Sequence, residues 1–142
     1  MNVGLCDYTL EHIKDPELFF SECRRVIKPG GYLCIRTTNV LSYLGLFSRL
    51  IPNKLHSFIL GKVQGEREDE DIFPTVYRCN TIWKIERMLI KHGFVNKYVY
   101  GYDAEPSYLS FSRFSYMLGV FHQRFAPHAI KLNIFAFAEK KR

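Results

Sequence analysis

The first 38 residues alternate between short apolar runs and one amphipathic stretch, and this alternation limits the fold more than any other feature. Residues 3–6 and 32–35 are apolar runs of a length typical of buried strands. Between them, Asp15 followed by Pro16 is typical of a helix start, because Asp caps free N–H groups and proline fits the first helical position. Pro29 and two glycines then end that helix. Strand, helix and strand in so short a segment favour a β-α-β unit and an α/β fold.

The first helix also carries a stripe of apolar residues at helical spacing. Phe19, Cys23, Val26 and Ile27 follow one another at positions i, i+4, i+7 and i+8, so we expect them to face the core. The polar residues at 36–39 are expected in the loop after the second strand, at the rim where α/β sheets bind their ligands.

The middle of the chain favours helices. Residues 40–60 mix apolar and polar residues, and we predict two short helices separated at Pro52. Asn80 or Thr81 is expected to cap a further helix, whose inner face carries Ile82, Ile85, Met88 and Leu89 and which ends at Gly93.

The last third predicts two strands around an insertion. Residues 94–102 and 130–138 are rich in β-branched and aromatic residues, as strands are. Residues 106–125 between them are expected to form an insertion that contains a helix. We therefore expect one α/β domain over residues 1–142.

Composition excludes several classes of protein. Hydrophobic residues at 47% and charged residues at 24% fit a globular domain and exclude a disordered chain. No apolar run approaches the roughly 20 residues that span a bilayer, and no secretory signal opens the sequence, so we expect a cytoplasmic protein. The net charge is +6, but the basic residues are scattered, so no nucleic-acid partner is expected. The four cysteines lack metal-binding spacing and are expected to be reduced.

Four segments resemble class I S-adenosylmethionine-dependent methyltransferases of the type 11 group. Residues 10–16 (LEHIKDP) resemble the family's "LEHxxDP" turn after strand four, and residues 25–31 (RVIKPGG) resemble its "RVLKPGG" approach to strand five. Residues 37–39 (TTN) resemble the "TPN" that follows strand five, and residues 73–81 (FPTVYRCNT) resemble a bacterial "FPTxYRxNT" segment. The resemblance implies the C-terminal half of a Rossmann-like sheet, with strands four to seven, an antiparallel last pair and a helical insertion.

The resemblance also implies that part of the fold lies elsewhere. In this family a GxGxG loop after strand one holds S-adenosylmethionine, and an acidic residue after strand two binds its ribose. The 142 residues contain no GxGxG, and Asn2 stands where an acidic residue usually opens strand four. We expect either a separate N-terminal half as partner, or self-association through an exposed first strand.

The turn after the first strand is the expected cofactor side. The resemblance implies that Cys6, Asp7 and Glu11 contact the cofactor, and that Asp7 and His12 take part in catalysis, His12 as general base. The alternatives are that Asp7 only caps or solvates the turn, and that Glu11 and His12 bond neighbouring backbone. Some relatives bind a divalent metal here, but Tyr8 occupies the carboxylate position, so no metal is expected.

The methyl acceptor is expected to meet polar residues further along the chain. The candidates are His56, Tyr77, Arg78 and Asn80. Arg78 suits an acidic acceptor, because an arginine side chain binds a carboxylate or phosphate with two hydrogen bonds. The alternative is that Arg78 pairs with the acidic run at residues 66–71. The aromatic residues of the insertion either cover a large acceptor or belong to the core: Tyr108, Phe111, Phe114, Tyr116 and Phe121.

The resemblance implies methyl transfer from S-adenosylmethionine to a small-molecule or sugar- or lipid-linked acceptor, as part of a complete enzyme. Two alternatives stay open. The chain could be a non-catalytic remnant that binds a partner. It could also be a membrane-peripheral module that uses the aromatic insertion and the basic tail at residues 140–142, the less favoured of the two.

Overall fold

In the computed structural model, the described residues are 1–50, 75–103, 109 and 112–141, without the side chains of 47–50. The insertion is thus described only in part. The described elements, in chain order, are β1 (Val3–Asp7), a 3₁₀ turn (Leu10–His12), α1 (Pro16–Val26), β2 (Tyr32–Thr38), α2 (Tyr43–Leu50), α3 (Ile82–Lys91), β3 (Phe94–Tyr102), α4 (Arg113–Phe125), a 3₁₀ turn (His128–Ile130) and β4 (Asn133–Lys140).

The four strands form one mixed sheet in the order β1-β2-β4-β3. β1 and β2 are parallel, as the β-α-β unit predicts. β4 runs antiparallel to both β2 and β3, so the prediction of an antiparallel last pair is confirmed. The α/β fold class is confirmed with it.

Helices α1 and α3 begin at capping residues that the sequence predicts, and the predicted glycine follows α3. The Asp15 carboxylate accepts a hydrogen bond from the backbone N–H of Leu18 at 3.0 Å, and α1 begins at the next residue after the cap. Thr81, one of the two predicted caps, accepts a bond from the N–H of Lys84. Gly93 follows α3 with a φ of +70°, a conformation that glycine adopts without strain.

Two expectations for the first half of the chain were wrong in detail. Of the predicted stripe, Phe19, Cys23 and Ile27 face the core as expected. The prediction was wrong for Val26, which is 39% exposed because α1 ends there, and it missed Phe20, the fully buried residue of the helix. β2 continues through Thr38, beyond the predicted end at residue 35, because β4 offers backbone partners as far as Asn133.

Elsewhere one segment boundary shifts, and one of the two predicted cap residues has another role. β4 begins at residue 133 because residues 128–130 form a 3₁₀ turn. Asn80 is not the cap of α3, and its side chain is buried beside the sheet. The predicted break at Pro52 lies outside the described residues.

Among the described residues, the core lies on one face of the sheet. Alternate residues of the strands, including Leu33, Ile35 and Ile134, pack against Phe20 of α1 and Ile85 of α3. The predicted inner face of α3 is confirmed, since Ile85 and Leu89 are fully buried and Ile82 and Met88 pack against the same core.

The opposite face of the sheet is apolar and exposed. Strand register puts one set of residues on this side, which we call the open sheet face. Most of its large side chains are apolar: Val3, Leu5, Tyr32, Tyr98, Tyr100, Tyr102, Phe135 and Phe137. The same register places the polar residues Asp7, Arg36, Thr38, Asn133 and Glu139 on this face. Leu5 is 81% exposed, and the rings of Tyr100, Phe135 and Phe137 stack with centroids 5.9–6.4 Å apart. Sheets that show one face to water usually make that face polar, so this one has the composition of a covered surface.

We expect the Thr81→Ala variant to lower the free energy of unfolding by about 1 kcal/mol, because the N–H of Lys84 loses its acceptor. Urea titration followed by circular dichroism measures the change. Thr75→Ala, at an exposed position outside the helix, is the matched control and should stay within about 0.5 kcal/mol. Equal losses in the two variants would contradict the capping role.

Candidate functional site

One edge of the sheet collects the ends of all four strands. β1, β2 and β3 end there and β4 begins there, with Asp7 opposite Arg36, Thr38 opposite Asn133, and Asn133 opposite Tyr102. Ligands of open α/β sheets bind beyond the carboxyl ends of the strands. This edge of the sheet, which we call the site edge, is therefore the expected location of a ligand site.

Asp7 meets Arg36 across the two parallel strands in a bidentate ion pair. Nε and Nη2 of Arg36 donate to the two carboxylate oxygens, each at 2.5 Å. The hydrogen bond with Arg36 lowers the pKa of the Asp7 carboxyl, so the group is ionised at neutral pH. Both side chains keep about half of their surface exposed.

Tyr8 completes a surface polar cluster with Asp7, Arg36 and Asn133. Its backbone adopts a φ of +44°, which turns the chain sharply after β1. The Arg36 guanidinium carbon lies 4.7 Å from the centre of the Tyr8 ring, and the Tyr8 hydroxyl donates to Asn133 Oδ1 at 3.0 Å. Tyr8 thus ties the turn after β1 to the start of β4.

Glu11 lies below this edge in a buried network of polar side chains. Its carboxylate accepts hydrogen bonds from the hydroxyls of Thr37 at 2.8 Å and Thr38 at 3.4 Å. Asn80 Nδ2 donates to the Thr37 hydroxyl at 2.7 Å. Within the part of the chain that the structure describes, Asn80 Oδ1 has no hydrogen-bond partner.

The backbone of Glu11 extends the same network. Its carbonyl oxygen accepts from the N–H groups of both Val76 and Tyr77, at 2.8 and 3.1 Å. One residue therefore fixes the segment that precedes α3 against the end of β2. Glu11 bonds neighbouring residues, as one of the sequence interpretations proposed, although its carboxylate reaches threonines of β2 rather than backbone.

The predicted acceptor residues divide into three groups by location. Tyr77 is partly buried, with a φ of +47°, and its backbone N–H donates to the Glu11 carbonyl, so it lies next to the Glu11–His12 turn. Arg78 follows it in the chain and is exposed. Asn80 is fully buried, so its side chain supports the site edge and does not face solvent. His56 and the acidic run at residues 66–71 lie outside the described residues.

Cys6 and His12 occupy different environments. The Cys6 thiol faces the core, and burial raises its pKa, so it is a poor nucleophile at neutral pH. Any contact of Cys6 with a bound molecule therefore falls to its backbone. His12 ends the 3₁₀ turn after β1 and is partly exposed. Over the described ranges, no group of three or more side chains has the arrangement of a metal site.

Sequence reasoning missed a paired acid and imidazole beyond β3. Asp103 is buried, and His122 Nδ1 of α4 lies 3.1 Å from its Oδ2. The N–H of Leu132 donates to the other carboxylate oxygen, and Gln123 donates to the Asp103 carbonyl. Such a pair holds the imidazole in one orientation. Neither residue carries a sequence motif, and only the packing of α4 brings them together.

The first part of the chain matches a known protein family. The profile of a family described as "Methyltransferase domain" matches residues 2–35, which hold β1, α1 and the first part of β2. No curated protein sequence matches the chain.

Solved structures extend the likeness to the whole chain. A SAM-dependent methyltransferase from Thermotoga maritima matches with a TM-score of 0.55 and 19% identity, over 99% of this chain and 56% of that one. One from Methanosarcina mazei matches with a TM-score of 0.54 and 20% identity, over 99% and 59%. A phosphoethanolamine N-methyltransferase from Haemonchus contortus, solved with phosphomonomethylethanolamine and S-adenosylhomocysteine, matches with a TM-score of 0.50 and 18% identity, over 100% and 34%.

The chain thus has the fold of the SAM-dependent methyltransferases, and the predicted resemblance is confirmed. It spans a little over half the length of the first two structures.

We expect the Thr37→Val variant to lose about 1–3 kcal/mol of unfolding free energy, because Glu11 and Asn80 both lose a buried partner. Valine keeps the shape and the strand preference of threonine. The Thr38→Val variant is the control, since its bond to Glu11 is longer and partly exposed, and should lose less than about 1 kcal/mol. Similar losses, measured by chemical denaturation, would contradict the central place of Thr37.

The pKa of Asp7 gives a prediction about pH. Its value is lowered in the folded state, so the stability that the pair contributes is present above the carboxyl's unfolded value and is lost as the pH falls through the folded one. We expect Arg36→Gln to raise the pKa of Asp7 toward its ordinary value, measured by carboxyl NMR. Arg25→Gln, which removes the partner of Glu22, should leave Asp7 unchanged. A shift with Arg25→Gln alone would refute the assignment.

Proposed function

We propose that this chain forms one partial domain of a SAM-dependent methyltransferase, on the side that receives the methyl acceptor. The complete enzyme transfers the methyl group of S-adenosylmethionine to a small-molecule or sugar- or lipid-linked acceptor. One observation carries the proposal: the fold is similar to methyltransferase structures over 99% of the chain, and its polar residues are gathered at the site edge.

The site edge fits the methionine end of the cofactor. That end carries an ammonium group, and the Asp7 carboxylate is ionised and exposed where β1 ends. In the proposal Asp7 accepts from the ammonium, the Cys6 backbone lines the same turn, and Glu11 holds the turn in place from below. When bound, S-adenosylmethionine supplies an activated methyl group. The sequence holds no glycine-rich loop, so other contacts to this cofactor come from outside the 142 residues.

The remaining residues of the proposal act on the acceptor. Methyl transfer needs mainly alignment of the two reactants, with a base where the acceptor must lose a proton. His12 is the proposed base, because it ends the turn that carries Glu11 and is partly exposed. Arg78 and Tyr77 beside it, together with His56, are proposed to bind the acceptor, Arg78 through an acidic group. Asn80 supports them from the interior.

The open sheet face supports a partner that completes the fold. β1 is an edge strand, and Val3 and Leu5 on it continue the exposed aromatic surface of β3 and β4. A partner that adds a strand beside β1 and helices over the open sheet face covers both. In the absence of that partner, we propose that the chain is inactive and self-associates.

We also propose a cytoplasmic location. All four cysteines are free thiols, which is the usual state in reducing compartments.

One observation favours the alternative of a non-catalytic remnant. The polar groups at the site edge bond one another, Asp7 with Arg36 and Glu11 with Thr37, as expected of a surface kept for structure alone. The two functions differ in cofactor binding, so the following measurement separates them.

We expect the 142-residue chain alone to show no micromolar binding of S-adenosylhomocysteine in titration calorimetry. Each missing hydrogen bond to a charged group is worth about 1.5–3 kcal/mol, so the loss of two or three lowers affinity by several orders of magnitude. Where the reading frame continues upstream of Met1, the protein extended by those residues should bind the ligand and transfer methyl groups. Light scattering of the short chain should show oligomers.

The control is the extended protein with Asp7→Asn, which should bind more weakly but remain folded. A short chain that is monomeric and binds at micromolar affinity would disprove the need for a partner. An extended chain that contains a glycine-rich loop and still fails to bind would disprove the methyltransferase proposal itself.

A further inference from the structure

Helix α4 packs on the domain with its polar side and turns its apolar side to solvent. Its buried residues are small, Ser115 and Gly119. His122 and Gln123 on the same side bond the side chain and carbonyl of Asp103. This orientation is the reverse of α1 and α3, whose buried residues are large and apolar.

The exposed residues of α4 form a continuous apolar stripe. Five side chains are more than half exposed, and Phe114 reaches 73%. They are spaced at i, i+3, i+4, i+7 and i+11, which is one face of a helix about 20 Å long. The apolar stripe consists of Phe114, Met117, Leu118, Phe121 and Phe125.

The start of α4 is capped, and its last turns are bonded to the rest of the domain. Ser112 and Ser115 form a reciprocal capping box at the start of the helix. Near its end, Asp103 holds His122 and Gln123, and Lys131 Nζ donates to the carbonyl of Gln123. These bonds hold the apolar stripe outward.

The charged side chains of α4 and of the segment that follows it have one sign. Residues 112–132 contain no Asp or Glu, while Arg113 and Arg124 are exposed at the two ends of the helix. The Arg124 guanidinium also lies 5.8 Å from the centre of the Phe125 ring. The Asp103 carboxylate that bonds His122 is buried on the opposite, packed side of the helix. An apolar face rich in aromatic residues, with arginines at its ends and no carboxylate on the helix itself, complements a surface that is apolar inside and anionic outside.

We propose that α4 is an interfacial anchor that lies flat on an anionic phospholipid bilayer, with the apolar stripe inserted below the headgroups and the two arginines among the phosphates. No helix among the described residues is long and apolar enough to cross a membrane. The anchor goes beyond methyl transfer and does not depend on it. The backbone of Leu132 bonds both Asp103, which holds α4, and Asn39, which follows β2. Through these bonds α4 is connected to the site edge, so the anchor places the site edge close to the lipid surface.

The test is co-sedimentation of the full chain with vesicles of phosphatidylcholine alone or with 30% phosphatidylglycerol added as an anionic probe. We expect binding to the anionic vesicles, weakened about tenfold or more by Phe121→Ser and again by Phe114→Ser. Tyr98→Ser is the matched control. The Tyr98 side chain is 71% exposed, nearly the same fraction as Phe114, but it lies on the open sheet face, so binding should be unchanged. Arg113→Gln should weaken binding about fivefold, and exposed Arg87→Gln on α3 should not.

Tryptophan fluorescence gives an independent readout of insertion. The only tryptophan, Trp83, lies on α3 and should not respond to vesicles. In a Trp83→Phe background, Phe121→Trp should shift to the blue and be quenched by brominated lipid, whereas Tyr98→Trp should not.

Three results would overturn the proposal. Absence of vesicle binding by the unmodified chain rules out an anchor. Equal effects of Tyr98→Ser and Phe121→Ser would assign binding to general hydrophobicity. Loss of self-association in Phe121→Ser, without vesicle binding by the unmodified chain, would make the apolar stripe an interface between two copies.

Discussion

The buried carboxylate of Glu11 organises the site edge. It accepts bonds from two threonines of β2, and its own carbonyl receives the segment that leads into α3. A carboxylate in the protein interior is tolerated only when hydrogen bonds replace water, and Thr37 with Asn80 behind it provides them. The turn after β1, the end of β2 and the start of α3 therefore keep one relative arrangement. The partly buried Tyr77 and the exposed Arg78 belong to the segment that this arrangement positions.

The local elements of the fold were readable from the sequence because they obey local rules. Asp15, Thr81 and Gly93 act within one helical turn, and the apolar pattern of α3 repeats at the helical period. The errors arise where distant segments decide. Whether β2 stops at residue 35 or 38 depends on β4, about a hundred residues later in the chain.

The candidate site was predictable only in part for the same reason. The turn at Asp7–His12 was found through motif resemblance, but no pattern reveals that Asn80 is buried or that Asp103 meets His122. Both depend on side chains that come together across more than one element. The inverted packing of α4 was equally hidden, because an amphipathic pattern states that one helix face is apolar without stating which face meets the protein.

The ion pair of Asp7 and Arg36 lies on the open sheet face, next to the exposed residues of β1 and β2. Any layer that covers this face also removes water from around the pair. In a medium of lower dielectric constant the attraction between the two charges strengthens, while rearrangement of either side chain becomes more costly. The same carboxylate is thus loosely held and screened in the isolated chain and rigidly aimed in an assembled one. In the proposed assembly, binding of the covering layer and preorganisation of the site edge would therefore occur together.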